Sequence, residues 1–240
     1  MSRMVRIALV AEGWTDQTVI EAAISQLLAG RSYALKLLQP EDPAASAPFG
    51  APRPFGWTGV YRWCREMVGR AGRLRDDVIF AGYDVVLLHL DADVANSTYA
   101  AAHVHDAPDQ DDLPCASLVC PPPTTTTDPL RLVLLRWAGE TATPPRVVLC
   151  TPSKSTEAWV LAALYPQDAS VVGGALECFD FPANLLGAKP AGERLVRSGK
   201  KDRERYEARK QNMANGWPQV RQVCTEAERF SVDFLNEAPS

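Results

Sequence analysis

Met4-Val5-Arg6-Ile7-Ala8-Leu9-Val10-Ala11, followed by Glu12-Gly13-Trp14-Thr15-Asp16, is the stretch that decides the fold. The first eight residues are rich in Val, Ile, Leu and Ala without strict alternation, as in a parallel strand covered on both faces. A tight glycine turn follows, and then a helical pattern from Thr15 to Leu28. In it Val19, Ile20, Ala23, Ile24, Leu27 and Leu28 make one stripe of 3.6-residue period. One acid stands where the strand ends and another where the helix begins. Two later stretches repeat the arrangement: Val85-Val86-Leu87-Leu88-His89-Leu90 before Asp91-Ala92-Asp93, and Val147-Val148-Leu149-Cys150 before Thr151 to Glu157. In an open parallel sheet the carboxyl ends of the strands face one crevice, where ligands bind. Three acid-bearing strand ends therefore predict one acidic, metal-binding site built from three distant pieces of sequence.

Outward from these strands, Ala34 to Leu38 supplies a second short strand. Residues 39–57 carry five prolines and read as an irregular loop. Val60 to Val68 predicts a helix presenting Arg62 and Arg65. A polar segment then holds His103, His105 and Asp106, which resemble a metal cluster but read better as a loop. Pro121 to Pro123 and the four threonines Thr124 to Thr127 predict surface loop, ending at a helix from Pro129 to Ala138 with the proline in its first turn. Arg146 to Cys150 is the next strand, and Ser155 or Thr156 caps the helix that follows it. Trp217 to Leu235 reads as one final amphipathic helix. The expected architecture is α/β: a mostly parallel, Rossmann-like sheet flanked by helices. Residues 1–178 form the catalytic domain, with insertions at 39–57 and 96–128, and residues 179–240 form a basic helical appendage.

At 240 residues, 46% hydrophobic and 22% charged, the chain has the composition of a globular protein. No apolar stretch approaches the roughly 20 residues needed to cross a bilayer, and no secretory leader is evident, so a cytoplasmic protein is expected. The six cysteines are scattered without a C-x-x-C pair, which argues against zinc ribbons and makes reduced thiols the default expectation. The net charge of −4 does not announce a nucleic-acid binder, but Lys189 to Lys210 contains nine Lys or Arg against four acids. Within it Lys200, Lys201, Arg203, Arg205, Arg209 and Lys210 are candidate contacts to a phosphate backbone.

Carboxylates converging in one crevice repel each other and take up protons unless a cation compensates. Oxygen ligands without cysteine or an organised histidine favour Mg²⁺ or Mn²⁺ over zinc. Glu12, Asp16, Asp91, Asp93 and Glu157 are enough for one ion or for two at about 3.5–4 Å, the spacing used in phosphoryl transfer. Lys154, three residues before Glu157, is a candidate for orienting a nucleophile or neutralising phosphate charge. Taken singly, Asp16 and Glu157 also read as ordinary first-turn helix acids.

Glu12-Gly13, then Asp16, then an apolar strand ending Asp91-Ala92-Asp93, resembles a TOPRIM domain, the fold shared by topoisomerases, bacterial primases and OLD-family nucleases. Ser155-Thr156-Glu157-Ala158-Trp159-Val160-Leu161 is similar to a segment of small stand-alone TOPRIM-like proteins linked to phage defence. The resemblance covers roughly residues 4 to 165. It implies Glu12 as general acid/base or metal ligand, Asp91 and Asp93 holding the principal ion, Asp16 and Glu157 completing a second position, and Lys154 as a catalytic lysine. The chain has no room for a strand-passage gate and no primase zinc module, so the resemblance implies a metal-dependent nuclease, in a prokaryotic defence or nucleic-acid processing setting, with DNA or RNA as partner and control by an ATPase left open. Two other readings stay open. Leu87 to Val94 also resembles the haloacid-dehalogenase phosphatase motif, with Asp91 as nucleophile and Asp93 as acid/base, though Glu12 and Asp16 are then unexplained. A catalytically inert TOPRIM-like binding module is the third.

Overall fold

The computed structural model describes residues 3–41, 55–105, 107, 113, 120–174 and 176–239. Strands β1 (Val5–Val10), β2 (Tyr33–Gln39), β3 (Val85–His89) and β4 (Val147–Cys150) form one parallel sheet in the order β2-β1-β3-β4. The chain leaves β1 toward one edge and returns to β3 on its other side. The topological switch point therefore lies between β1 and β3, where a crevice opens beyond the carboxyl ends of the strands.

Nine α-helices are described: α1 (Trp14–Leu27), α2 (Trp57–Ala71), α3 (Ile79–Gly82), α4 (Thr124–Trp137), α5 (Thr156–Leu164), α6 (Ala169–Val172), α7 (Pro182–Gly187), α8 (Arg203–Val223) and α9 (Thr225–Glu237). A short antiparallel ribbon, β5 (Val196–Arg197) and β6 (Lys200–Lys201), precedes α8. The period-2 alternation of the strands sorts their side chains onto two helical layers. Ile7, Leu9, Val85, Leu87, Val148 and Cys150 face a core shared with α1, α5, α8 and α9. Ala8, Val10, Val86, Leu88, Val147 and Leu149 face α2 and α4. Burial on both faces accounts for the unbroken apolar runs in the sequence.

The segment expected as an appendage supplies much of the first core. Tyr206, Met213, Trp217, Phe230 and Phe234 are buried against α1, α5 and the sheet. Trp159 meets Trp217 edge-on at 5.4 Å and stacks on Phe230 at 6.1 Å, and each such pair contributes about 0.5–1.5 kcal/mol beyond its area. Gly216 permits the close approach of α8 to α5, because a Cβ there would lie 2.4 Å from the Ala163 carbonyl oxygen.

Four local expectations are corrected. Thr124 to Thr127 are not loop: they form the first turn of α4, and Pro129 lies inside that helix. Thr126 and Thr127 are buried, and the Thr127 hydroxyl donates to Glu226 Oε1 at 2.8 Å, so tertiary burial overrides weak helix propensity. The single C-terminal helix is two, broken at Cys224, whose backbone is extended (φ −122°, ψ 110°). The N-terminus of α9 is capped from a distance: the Glu177 carboxylate accepts from the Thr225 and Glu226 amides at 2.6 and 2.9 Å and from the Thr225 hydroxyl at 2.7 Å. Ser155 is the N-cap residue of α5 but makes no side-chain cap; the first amide of that helix donates instead to Asp91 Oδ1. Finally, not all thiols are reduced: Cys120 and Cys178 form a disulfide across 58 residues, while Cys64, Cys150 and Cys224 are free and buried. Cys115 and Asp106 lie outside the described residues. Among the described residues, no helix is long and apolar enough to cross a membrane.

Candidate functional site

The crevice at the switch point is lined by the three acid-bearing strand ends. β1 passes Ala11, whose amide donates to the Gln39 carbonyl at 2.8 Å, and delivers Glu12. Gly56, the N-cap residue of α2, donates its amide to the Glu12 carbonyl at 2.9 Å. The Glu12 carboxylate turns inward and accepts from the Asp91 amide at 2.7 Å. Asp16 sits in the first turn of α1, where the helix dipole favours an acid. After β3, the 91–93 turn is pinned to the loop that follows β4: the Ala92 amide donates to the Pro152 carbonyl at 3.0 Å and the Asp93 amide to the Lys154 carbonyl at 2.9 Å. Lys154 adopts a left-handed φ of 61°, uncommon outside glycine.

Asp91 joins the two sides. Its Oδ1 accepts from the Thr156 amide at 3.1 Å, which caps α5, and lies 3.2 Å from His89 Nε2. The Thr156 hydroxyl, expected as a cap, donates to Asp16 Oδ1 at 2.8 Å. Ligand atoms of Asp16, His89 and Asp91 all lie within 4.8 Å of one another, and all three residues are buried. His89 lies outside the ligand set expected from the sequence, which contains no organised histidine. A lone polar residue in an otherwise apolar, doubly covered strand, two positions before an acid, was its only sequence signal.

The electrostatics are those of a site short of positive charge. At 4.8 Å and an effective dielectric of about 20, two ionised carboxylates repel by about 3.5 kcal/mol. Glu12 is held well above the usual carboxylate range, first by burial and then by Asp91, Asp16 and Asp93, with the Asp91 amide pulling the other way. Asp91 is raised to about 7, by burial first and Asp16 second, against the lowering influence of His89. Asp93, whose outer side reaches solvent, is raised to about 6 by desolvation and by Glu157 and Asp16, with Lys201 opposing. Burial works against charge on His89, but its hydrogen bond and attraction to Asp91, with Asp16 behind, outweigh it and raise its pKa. Its Nδ1 is buried without a hydrogen-bond partner.

Glu157, in the first turn of α5, is buried and accepts from the Tyr206 hydroxyl at 3.0 Å. The lysine that reaches the acids is Lys201, not Lys154. Lys201 Nζ lies 2.8 Å from Glu157 Oε1 and 3.8 Å from Asp16 Oδ1, whereas the Lys154 ammonium pairs with Asp180 at 2.8 Å. Lys201 arrives through the β5–β6 hairpin, whose turn residues Ser198 and Gly199 both have positive φ (47° and 73°), as a two-residue type I′ turn requires.

The other candidate phosphate contacts are distributed. Arg203 lies at 4.3 Å over the ring of Trp14, two residues after Glu12 in the chain. Arg205 folds back onto the Ala191 and Arg194 carbonyls, and Lys210 pairs with Glu21 and Glu207. Lys200 is exposed, and Arg209 is half-buried beside Tyr165 and Glu193. These six side chains do not form one face: Lys201 reaches the acids, Arg203 lies on Trp14, and Arg205 and Lys210 are committed to intramolecular partners. His103, in a turn, and His105, just after it, are exposed between β3 and α4. No family model matches the chain, and no curated protein or solved structure is significantly similar to it.

Proposed function

We propose that the protein is a metal-dependent nuclease of TOPRIM type that hydrolyses phosphodiester bonds. The observation that carries the reading is the convergence of Glu12, Asp16, Asp91, Asp93 and Glu157 at one switch-point crevice, with carboxyls driven toward the protonated state in the absence of a cation. The donor set fits a divalent ion. Opposite ligands of a six-coordinate ion stand about 4.1 Å apart for Mg²⁺ and near 5 Å for Ca²⁺, and the Asp16–His89–Asp91 atoms fall within 4.8 Å. The imidazole moves the preference away from Mg²⁺ toward a first-row transition ion, of which Mn²⁺ also suits the carboxylates.

Asp16, His89 and Asp91 would hold the ion, with Glu12 and Asp93 at its edge. A divalent ion supplies Lewis-acid polarisation of a phosphoryl oxygen and neutralises the charge that builds there. Glu12, whose carboxylate lies against the Asp91 amide, is the group placed to exchange a proton with the attacking or departing oxygen. Lys201 places positive charge beside Glu157 and Asp16, where it can meet the charge of a bound phosphate.

The test is cleavage of single- and double-stranded DNA, plasmid and tRNA with Mn²⁺ or Mg²⁺, comparing the wild type with Glu12→Ala and Asp91→Ala. Metal-dependent cutting abolished in both variants is the expected result. Turnover of p-nitrophenyl phosphate, retained in Glu12→Ala and lost in Asp91→Ala, would replace the nuclease with the phosphatase reading. Nucleic-acid binding that survives both substitutions without turnover would replace it with a binding module.

A further inference from the structure

Lys201 is held at the acidic crevice from both sides of its backbone. Before it, the β5–β6 ribbon pairs Val196 with Lys201 in register. After it, the Asp202 amide donates to the Leu195 carbonyl at 3.0 Å, and the Asp202 carboxylate accepts from the Arg205 amide at 3.3 Å as the N-cap of α8. The ammonium is thus aimed by the fold and not by a free-swinging loop. It meets Glu157 at 2.8 Å and Asp16 at 3.8 Å. The oxygen of Glu157 that it contacts also accepts from the Tyr206 hydroxyl, and the oxygen of Asp16 that it faces also accepts from the Thr156 hydroxyl. These are the two carboxylates that a second divalent ion would need. An ammonium so close to both carries one positive charge where that ion would sit, and a cation entering beside it at about 4 Å would be repelled.

We propose that Lys201 is a resident cation that fills the Glu157 side of the cluster, so that the centre takes one divalent ion, on the Asp16–His89–Asp91 side, and not two. The inference rests on the metal-centre reading above and sets its stoichiometry. Glu157 is then the partner of Lys201 and not a metal ligand. Neutralising the lysine vacates a site for a second ion.

Mn²⁺ titrated into the 240-residue chain, followed by calorimetry and by electron paramagnetic resonance, tests this without an activity assay. The wild type is expected to bind one Mn²⁺ per chain with no dipolar coupling between ions. Lys201→Met, which keeps the stem and removes the charge, is expected to bind two, with Mn–Mn coupling. Glu157→Gln, which leaves the lysine in place, is expected to keep one ion with its Kd within about threefold, and it provides the test if Lys201→Met does not fold. Two coupled ions in the wild type, one ion in a folded Lys201→Met, or a tenfold or greater loss of affinity in Glu157→Gln would each overturn the inference while leaving the metal centre standing. No Mn²⁺ bound by the wild type would overturn the metal reading and the inference together.

Discussion

Replacing Gly216 with alanine sets two physical effects of opposite sign against each other. Gly216 lies inside α8, and in a helix interior alanine is favoured over glycine by about 1 kcal/mol. Packing predicts the reverse. The added Cβ would stand 2.4 Å from the Ala163 carbonyl oxygen and 2.8 and 2.9 Å from its Cα and carbonyl carbon, all inside the 3.0 Å that real Cβ atoms essentially never breach. The clashing atoms are backbone, so no rotamer relieves them and α8 must move off α5. Forced overpacking of this kind costs about 1–3 kcal/mol, and the absence of side-chain give places this case at the upper end. Net of the propensity gain, stability should fall by about 1–2 kcal/mol, a drop of roughly 2–8 °C in Tm for a chain of this size. Gly69, in α2, is the control: a Cβ there meets nothing within 4 Å, so Gly69→Ala should raise Tm by about 1–4 °C. Calorimetric melts and urea unfolding of both variants measure the difference. A Gly216→Ala protein as stable as the wild type would refute the α5–α8 approach, and with it the contact that brings Tyr206 to Glu157.

Stability should depend on pH in a direction unusual for carboxylates. Asp91 and Asp93 titrate near 7 and 6 in the folded chain against an ordinary 3.8, and Glu12 and His89 are also raised. Between about pH 4 and pH 7 the native state therefore holds more protons than the unfolded state, and stability falls as pH rises. Asp93, on the solvent side, contributes least. Melts in a chelator should show Tm decreasing from about pH 5 to about pH 7.5, with Mn²⁺ restoring it most at the upper end; a chelated protein that gains stability over that range would sink the account. Glu177→Ala removes three hydrogen bonds from the start of α9 and leaves its amides unpaired, so urea unfolding should show a loss of about 2–4 kcal/mol. The Cys120–Cys178 bridge closes 58 residues, worth up to about 4 kcal/mol of chain entropy. Reduction should lower the denaturation midpoint and raise the thiol titre in denaturant by two, and an unchanged titre would mean the bridge is not formed.

What the sequence determined by itself is the layered α/β plan and the lip of the crevice. Strands buried on both faces must be apolar without interruption, so Val5–Val10, Val85–His89 and Val147–Cys150 declare themselves locally. Acids at their carboxyl ends then follow from topology. The tertiary structure alone decided how those acids are answered. His89 is one polar residue in a buried strand, and only the packed sheet brings it beside Asp91. Lys201 reads as one more cation in a basic run, and only the hairpin's register aims it at Glu157, 44 positions away in the chain, while Lys154, near in sequence, swings to Asp180. The helical state of Thr124 to Thr127, the break at Cys224 and the distant cap by Glu177 share one cause. Each depends on partners far along the chain, whose burial outweighs local propensities of a few tenths of a kcal/mol per residue.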